Sequence, residues 1–249
     1  MRFIAQSLLE GLRTLGHDPQ LGHLTIVTLR LALESTAIAL ALGLPIACAL
    51  GLGRSRASRW AMIAANAGLG LPPVAVGVYA RLLLTAKGIQ PPWGGAWLNS
   101  LNGMVLCQSV IALPIVTALG AVAVRALPDA MLEQARAFGA SRSRLALLAL
   151  REARLGIATA VVVALASAIG EVGAIALIIG SAGPNETLAT QVIQDSYESN
   201  RASEVEHVLV LLAMMSILGA VLAFARRSSA RRREAQGHRA AAIEVALER

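Results

Sequence analysis

Residues 101–124 read LNGMVLCQSVIALPIVTALGAVAV, a run without a single charged side chain. A helix needs roughly 20 apolar residues to cross the hydrocarbon core of a bilayer, and this run is long enough to do so. Working outward, four further apolar segments near residues 24–52, 60–84, 155–180 and 204–225 meet the same test. The whole chain agrees: 56% of its 249 residues are hydrophobic and the mean hydropathy is +0.64, beyond the range of soluble domains. The runs are continuous rather than alternating, and aromatics make up only 3% of the chain, so the girdled strands of a membrane β-barrel are excluded. The fold class expected is therefore an all-α integral membrane protein with five transmembrane helices, packed through small residues.

The charges sit between these runs. Arg54, Arg56 and Arg59 mark the first short loop, six arginines lie from Arg125 to Arg154, and seven more follow from Arg226 onward. Loops on the other side carry Lys87 in one case and Glu186, Asp195, Glu198 and Arg201 in the other. By the positive-inside rule the basic regions are cytoplasmic, which places the N-terminus outside and the C-terminus inside. The net charge of +7 is thus topological, and nucleic acid is not an expected partner. The tail at 226–249 reads as a stop-transfer flank with a loose, basic cytoplasmic end, contact with anionic lipid or RNA being the other reading.

At the opposite end, Phe3, Ile4, Leu8, Leu12 and Leu15 recur at helical spacing. Residues 1–23 are expected to form an amphipathic helix in the membrane interface, retained because the features of a signal peptide are missing. Residues 24–225 form the transmembrane domain, in which Arg30 and Glu34 are spaced to pair across one helical turn. Cys48 and Cys107 lie in apolar runs without neighbouring metal-ligand residues and read as packing groups, so no metal or cofactor is implied.

Between the third and fourth spans, residues 126–157 read ALPDAMLEQARAFGASRSRLALLALREARLGI, too polar to cross and too patterned for a plain linker. Pro128 suits a first helical turn, Asp129 the positive end of the helix dipole, Gly139 a C-cap and Ser141 a new N-cap. The loop, 126–152, is expected to form a short helix, a tight turn and a second helix. Met131, Leu132, Ala135 and Phe138 make one apolar face, suited either to a partner's groove or to the headgroup region.

The stretch EQARAFGAS, with Glu133, Ala135 and Gly139 in register, resembles the EAA loop of ABC importer permeases, with Gln134 in place of the first Ala of that pattern. GLPPVAVGVY, ALPIVTAL, LREARLGI and AIGEVGA extend the resemblance from about Thr28 to Leu212 and are similar to the tungstate-type members of the molybdate, sulfate and tungstate group. The resemblance implies the type I importer permease fold in a bacterial or archaeal cytoplasmic membrane. It also implies a homodimeric pore, cytoplasmic ABC ATPase subunits and an external oxyanion-binding protein. Glu133, Ala135, Phe138 and Gly139 are then the ATPase-coupling residues. Tungstate is the favoured cargo, with molybdate or sulfate as alternatives.

Pro72 and Pro73 remove backbone donors in the second span, so a broken helix is expected there. Such a break faces either a neighbouring helix or a pore, and in a pore the half-helix after Pro73 would aim free N–H groups at an anion. Glu171 lies deep in the fourth span, where an ionisable group is costly. It is expected to be hydrogen-bonded and to support helix packing beside Gly170 and Gly173, with a gating role as the second reading and Arg81 as a possible partner. Pro72, Pro73 and Glu171 are the translocation-pathway candidates. No GxxxxGK[ST] phosphate loop and no hydrolase motif occurs, so the chain is not expected to be an enzyme. The rival of a different class is an ion-coupled secondary transporter or channel that uses Glu171 as a proton site.

Overall fold

A computed structural model describes residues 20–86, 94–179 and 185–247. The expected interfacial helix lies almost entirely outside these residues, as do Lys87 and residues 180–184. The described chain is helical throughout. In order, the elements are α1 (Leu21–Leu52), α2 (Arg56–Gly68), α3 (Pro73–Thr85), α4 (Gly94–Trp97), α5 (Leu101–Arg125), α6 (Asp129–Ala137), α7 (Arg142–Glu152), α8 (Arg154–Ile169), α9 (Gly173–Ile179), α10 (Leu188–Tyr197) and α11 (Arg201–Leu247).

Among the described residues three stretches are long and apolar enough to be single spans: α1, α5 and residues 203–227 of α11. Counting bent helix pairs as one span each raises the number to five. The second expected span is indeed broken: α2 and α3 meet at 95° across the Pro72–Pro73 step. The fourth differs from the continuous helix expected over 155–180. Within that stretch α8 stops at Ile169 before α9 starts at Gly173, and just ahead of it the chain bends by 72° where α7 meets α8. The last helix does not stop at its basic flank but continues to Leu247.

Small residues set the centre of the bundle. Ala39, Gly43, Ala47 and Gly51 recur every fourth position on α1 and are all buried. Gly43 faces Val116, Ala47 faces Gly120 and Gly51 faces Val124, so α1 and α5 advance together as a parallel pair. A side chain at Gly51 would come within 2.6 Å of Val124, which shows how closely the backbones approach. Helix α8 runs antiparallel to both: Gly156 abuts Ala123 on α5, whereas Ala168 packs with Ala32 nearer the start of α1. Helix α11 covers that site with Leu211, Met214, Met215 and Leu218. Cys48 and Cys107 are buried free thiols inside this packing.

Hydrogen bonds define the two ends. At the basic end, Arg125 donates to the carbonyls of Leu50 and Gly53 at 3.2 and 3.4 Å, closing the α1–α2 turn, while Arg54 pairs with Asp129. Ser55 caps α2, and Arg226 reaches Thr159 at 2.9 Å. At the opposite end, the Leu188 N–H donates to buried Thr28 at 2.9 Å, tying α10 to α1, and a fully buried His207 meets Asp195 at 2.6 Å, tying α10 to α11. Gln191 donates to the other Asp195 oxygen at 3.1 Å, so the buried carboxylate is used on both sides. Arg30 and Glu34 pair across one turn on the exposed face of α1 at 2.6 Å.

Candidate coupling and translocation sites

The loop at the basic end is a helix, a turn and a helix. Pro128 lies just before the first turn, in extended conformation, and Asp129 takes the first helical position. Helix α6 closes through two bonds: the Gly139 N–H donates to Arg136 and the Ala140 N–H to Ala135, at 2.9 and 3.0 Å. This is a Schellman motif, and it requires the left-handed φ of +77° found at Gly139, which an L side chain adopts only at a cost. Ser141 then caps α7 by accepting the Arg144 N–H, so the turn is specified from both sides.

The expected apolar face of α6 is divided. Leu132 turns into the chain and is buried, Met131 and Ala135 are half-buried, and Phe138 stands 91% exposed at the tip of the turn. Glu133 is exposed on the neighbouring face. The assembly is anchored at its start by the Arg54–Asp129 pair and at its end by Ala149 and Ala153, which pack with Cys48 and Val124. A rigid turn thus presents a large, unpaired aromatic ring at the basic end of the bundle.

The translocation candidates gather at two helix breaks that lie side by side. A side chain at Gly173, the start of α9, would lie 2.7 Å from Val74 at the start of α3, and one at Gly77 would lie 2.8 Å from the Ala174 Cα. Gly77 therefore serves close approach of two half-helices. Pro72 is exposed and Pro73 half-buried on an open face that also carries Leu71, Val74, Val78 and Tyr79. The free donors that the half-helix would offer if the break faced a pore are few, because the N–H groups of Ala75 and Val76 both donate to the Pro72 carbonyl, at 3.0 and 3.2 Å.

Glu171 sits in the second break. Its Oε1 accepts the Ala174 N–H at 3.0 Å, so the carboxylate occupies the positive end of α9. Arg81 is not its partner: its guanidinium donates to the Leu177 carbonyl at 2.8 Å, further along α9, and so fastens α3 to α9. The sequence pattern did not announce this second break between Ile169 and Gly173. Among the described residues no group of three or more His, Cys, Asp or Glu is arranged to hold a metal.

Residues 39–235 match the family model described as the binding-protein-dependent transport system inner membrane component. A probable anion ABC transporter permease protein of Haloferax volcanii is 31% identical over 156 residues, covering 60% of this chain and 66% of the relative. The tungstate uptake system permease protein TupB of Campylobacter jejuni is 26% identical over 159 residues, covering 63% of this chain and 65% of the relative. The matched stretch thus spans just under two thirds of each curated relative. Among solved structures, inward-facing MetNI methionine ABC transporter is similar with a TM-score of 0.68 at 18% identity, over 85% of this chain and 98% of that one. An amino acid ABC transporter crystallised with histidines gives 0.55 at 17% identity, over 87% and 97% of the two chains. At these identities the structural likeness establishes the fold.

Proposed function

We propose, from the premise that the chain belongs to the family of binding-protein-dependent transport system inner membrane components, that it is the permease subunit of an ABC importer for an oxyanion, with tungstate favoured over molybdate and sulfate. The observation that carries the reading is the glycine-locked turn at the basic end, which holds Phe138 91% exposed. An aromatic ring on a preformed turn suits a pocket on a soluble partner far better than it suits water. Glu133, Ala135, Phe138 and Gly139 form the coupling surface, and the partner is a cytoplasmic ABC ATPase. The chain itself has no phosphate loop and does not hydrolyse ATP.

The basic end then faces the cytoplasm, and the N-terminus lies outside. The open face around Pro72, Pro73 and Tyr79 is covered by a second copy, so that the pore forms between two subunits. Glu171, with its carboxylate already held by α9, shapes the break beside that pore rather than receiving the anion. Closure of the ATPase pair moves the coupling turns and tips the two-state bundle outward to a binding protein that delivers the cargo. The oxyanion assignment draws support from the relative named as a tungstate permease and the one named as an anion permease.

The test is metal uptake, read by elemental mass spectrometry, in cells with and without this gene, offered tungstate, molybdate and sulfate at low concentration. Loss of tungsten uptake alone, reproduced by Gly139→Asp, supports the full reading. Loss of molybdenum or sulfur instead moves the cargo, and unchanged uptake of all three overturns the oxyanion assignment.

A further inference from the structure

At the basic end, a cleft of about 350 Å³ opens between the α1–α2 turn and the start of the coupling loop, lined by Gly53, Arg54, Arg59, Arg125, Leu127 and Asp129. Three arginines line it against one aspartate, an excess of two positive charges. Their roles differ. Arg125 is fixed on the carbonyls of Leu50 and Gly53, and Arg54 pairs with Asp129. The Arg59 guanidinium makes no hydrogen bond or ion pair among the described residues.

The surface beside the cleft narrows the choice of ligand. Ile63 lies one turn beyond Arg59 on the same side of α2 and is 57% exposed, and Trp60 next to it is 71% exposed, while Met62 anchors the helix from its buried side. An exposed indole and an exposed aliphatic chain on the helix that carries Arg59 suit a phosphate with acyl chains attached. A free oxyanion would make no use of the apolar part. Basic pockets between transmembrane helices are a recurrent form of anionic headgroup recognition.

We propose that this cleft binds the phosphate of an anionic membrane phospholipid, with Arg59 as its principal contact and the acyl chains lying along Trp60 and Ile63. Arg54 is shared between that phosphate and Asp129. Asp129 opens α6, so lipid occupancy bears directly on the start of the coupling loop. Its lining shares no residue with the coupling surface at Glu133, Ala135, Phe138 and Gly139.

The test is native mass spectrometry of the purified full-length chain titrated with phosphatidylglycerol or phosphatidylcholine. The expected result is preferential phosphatidylglycerol adducts that fall roughly fivefold in Arg59→Gln, the effect of one interfacial cation. Arg142→Gln, an exposed arginine on α7 outside the cleft, leaves them unchanged. Millimolar inorganic phosphate leaves the adducts in place. Equal binding of both lipids, an unaltered Arg59→Gln, or an equal loss in Arg142→Gln overturns the proposal. Displacement by inorganic phosphate would reassign the cleft to a free anion, and would equally overturn the lipid assignment.

Discussion

Gly77→Ala is the sharpest probe of how the two half-helices meet. The added Cβ would lie 2.8 Å from the Ala174 Cα and 3.0 Å from the Ala174 carbonyl oxygen, and both are backbone atoms that cannot rotate away. Ordinary carbon contacts lie at about 3.5–4.0 Å, so α3 and α9 must separate by close to an ångström. Overpacking of this kind costs about 1–3 kcal/mol, against which alanine recovers up to about 1 kcal/mol of helix propensity, leaving a net loss on the order of 1 kcal/mol. Gly219 on α11 has nothing within 4 Å of its would-be Cβ, so Gly219→Ala should show the propensity gain alone. Because Cys48 and Cys107 are buried, a thiol-reactive fluorophore reports unfolding directly during a thermal ramp in detergent. For a chain of this size the expected shift is about 2–4 °C downward for Gly77→Ala, and no decrease for Gly219→Ala. Equal midpoints for Gly77→Ala and the wild type would refute the close approach of α3 and α9.

Two other substitutions isolate single devices. Gly139→Ala must adopt the φ of +77° at a cost of roughly 1–2 kcal/mol, which strains the coupling turn; the expected outcome is reduced ATPase association by co-purification together with a thermal midpoint lowered by about 2–8 °C, and Gly139→Asn should be milder in both. Thr28→Val keeps its shape but leaves the buried Leu188 N–H without its acceptor, and is expected to cost about 1–3 kcal/mol in the same thiol-reactivity assay.

The parts legible in advance were those governed by local chemistry. Apolar run length alone reveals a span, and two adjacent prolines break a helix whatever surrounds them, so the 95° bend after α2 could be read directly. The same holds for Gly139, whose left-handed role follows from what sits on either side of it. The break at Gly170–Val172 was hidden because glycine and glutamate are both tolerated inside helices. It depends on the Glu171 carboxylate taking the Ala174 N–H and on Val74 filling the space at Gly173, neither of which is local in the chain's pattern. The Ala39, Gly43, Ala47 and Gly51 stripe was visible only as apolar sequence, since small residues admit any close partner and do not name α5. Phe138 illustrates the limit from the other side. Its spacing placed it on one face with Leu132, yet the helix ends at Ala137 and the turn swings the ring outward.

The most direct test of the central claim is uptake of radiolabelled or isotopically enriched tungstate into proteoliposomes holding this chain, with and without its cognate ATPase and binding protein. The account predicts accumulation only when the ATPase, the binding protein and ATP are all present, and its loss when Phe138→Ala removes the exposed ring. Accumulation driven by a proton gradient with this chain alone would contradict it and would assign the protein to ion-coupled transport.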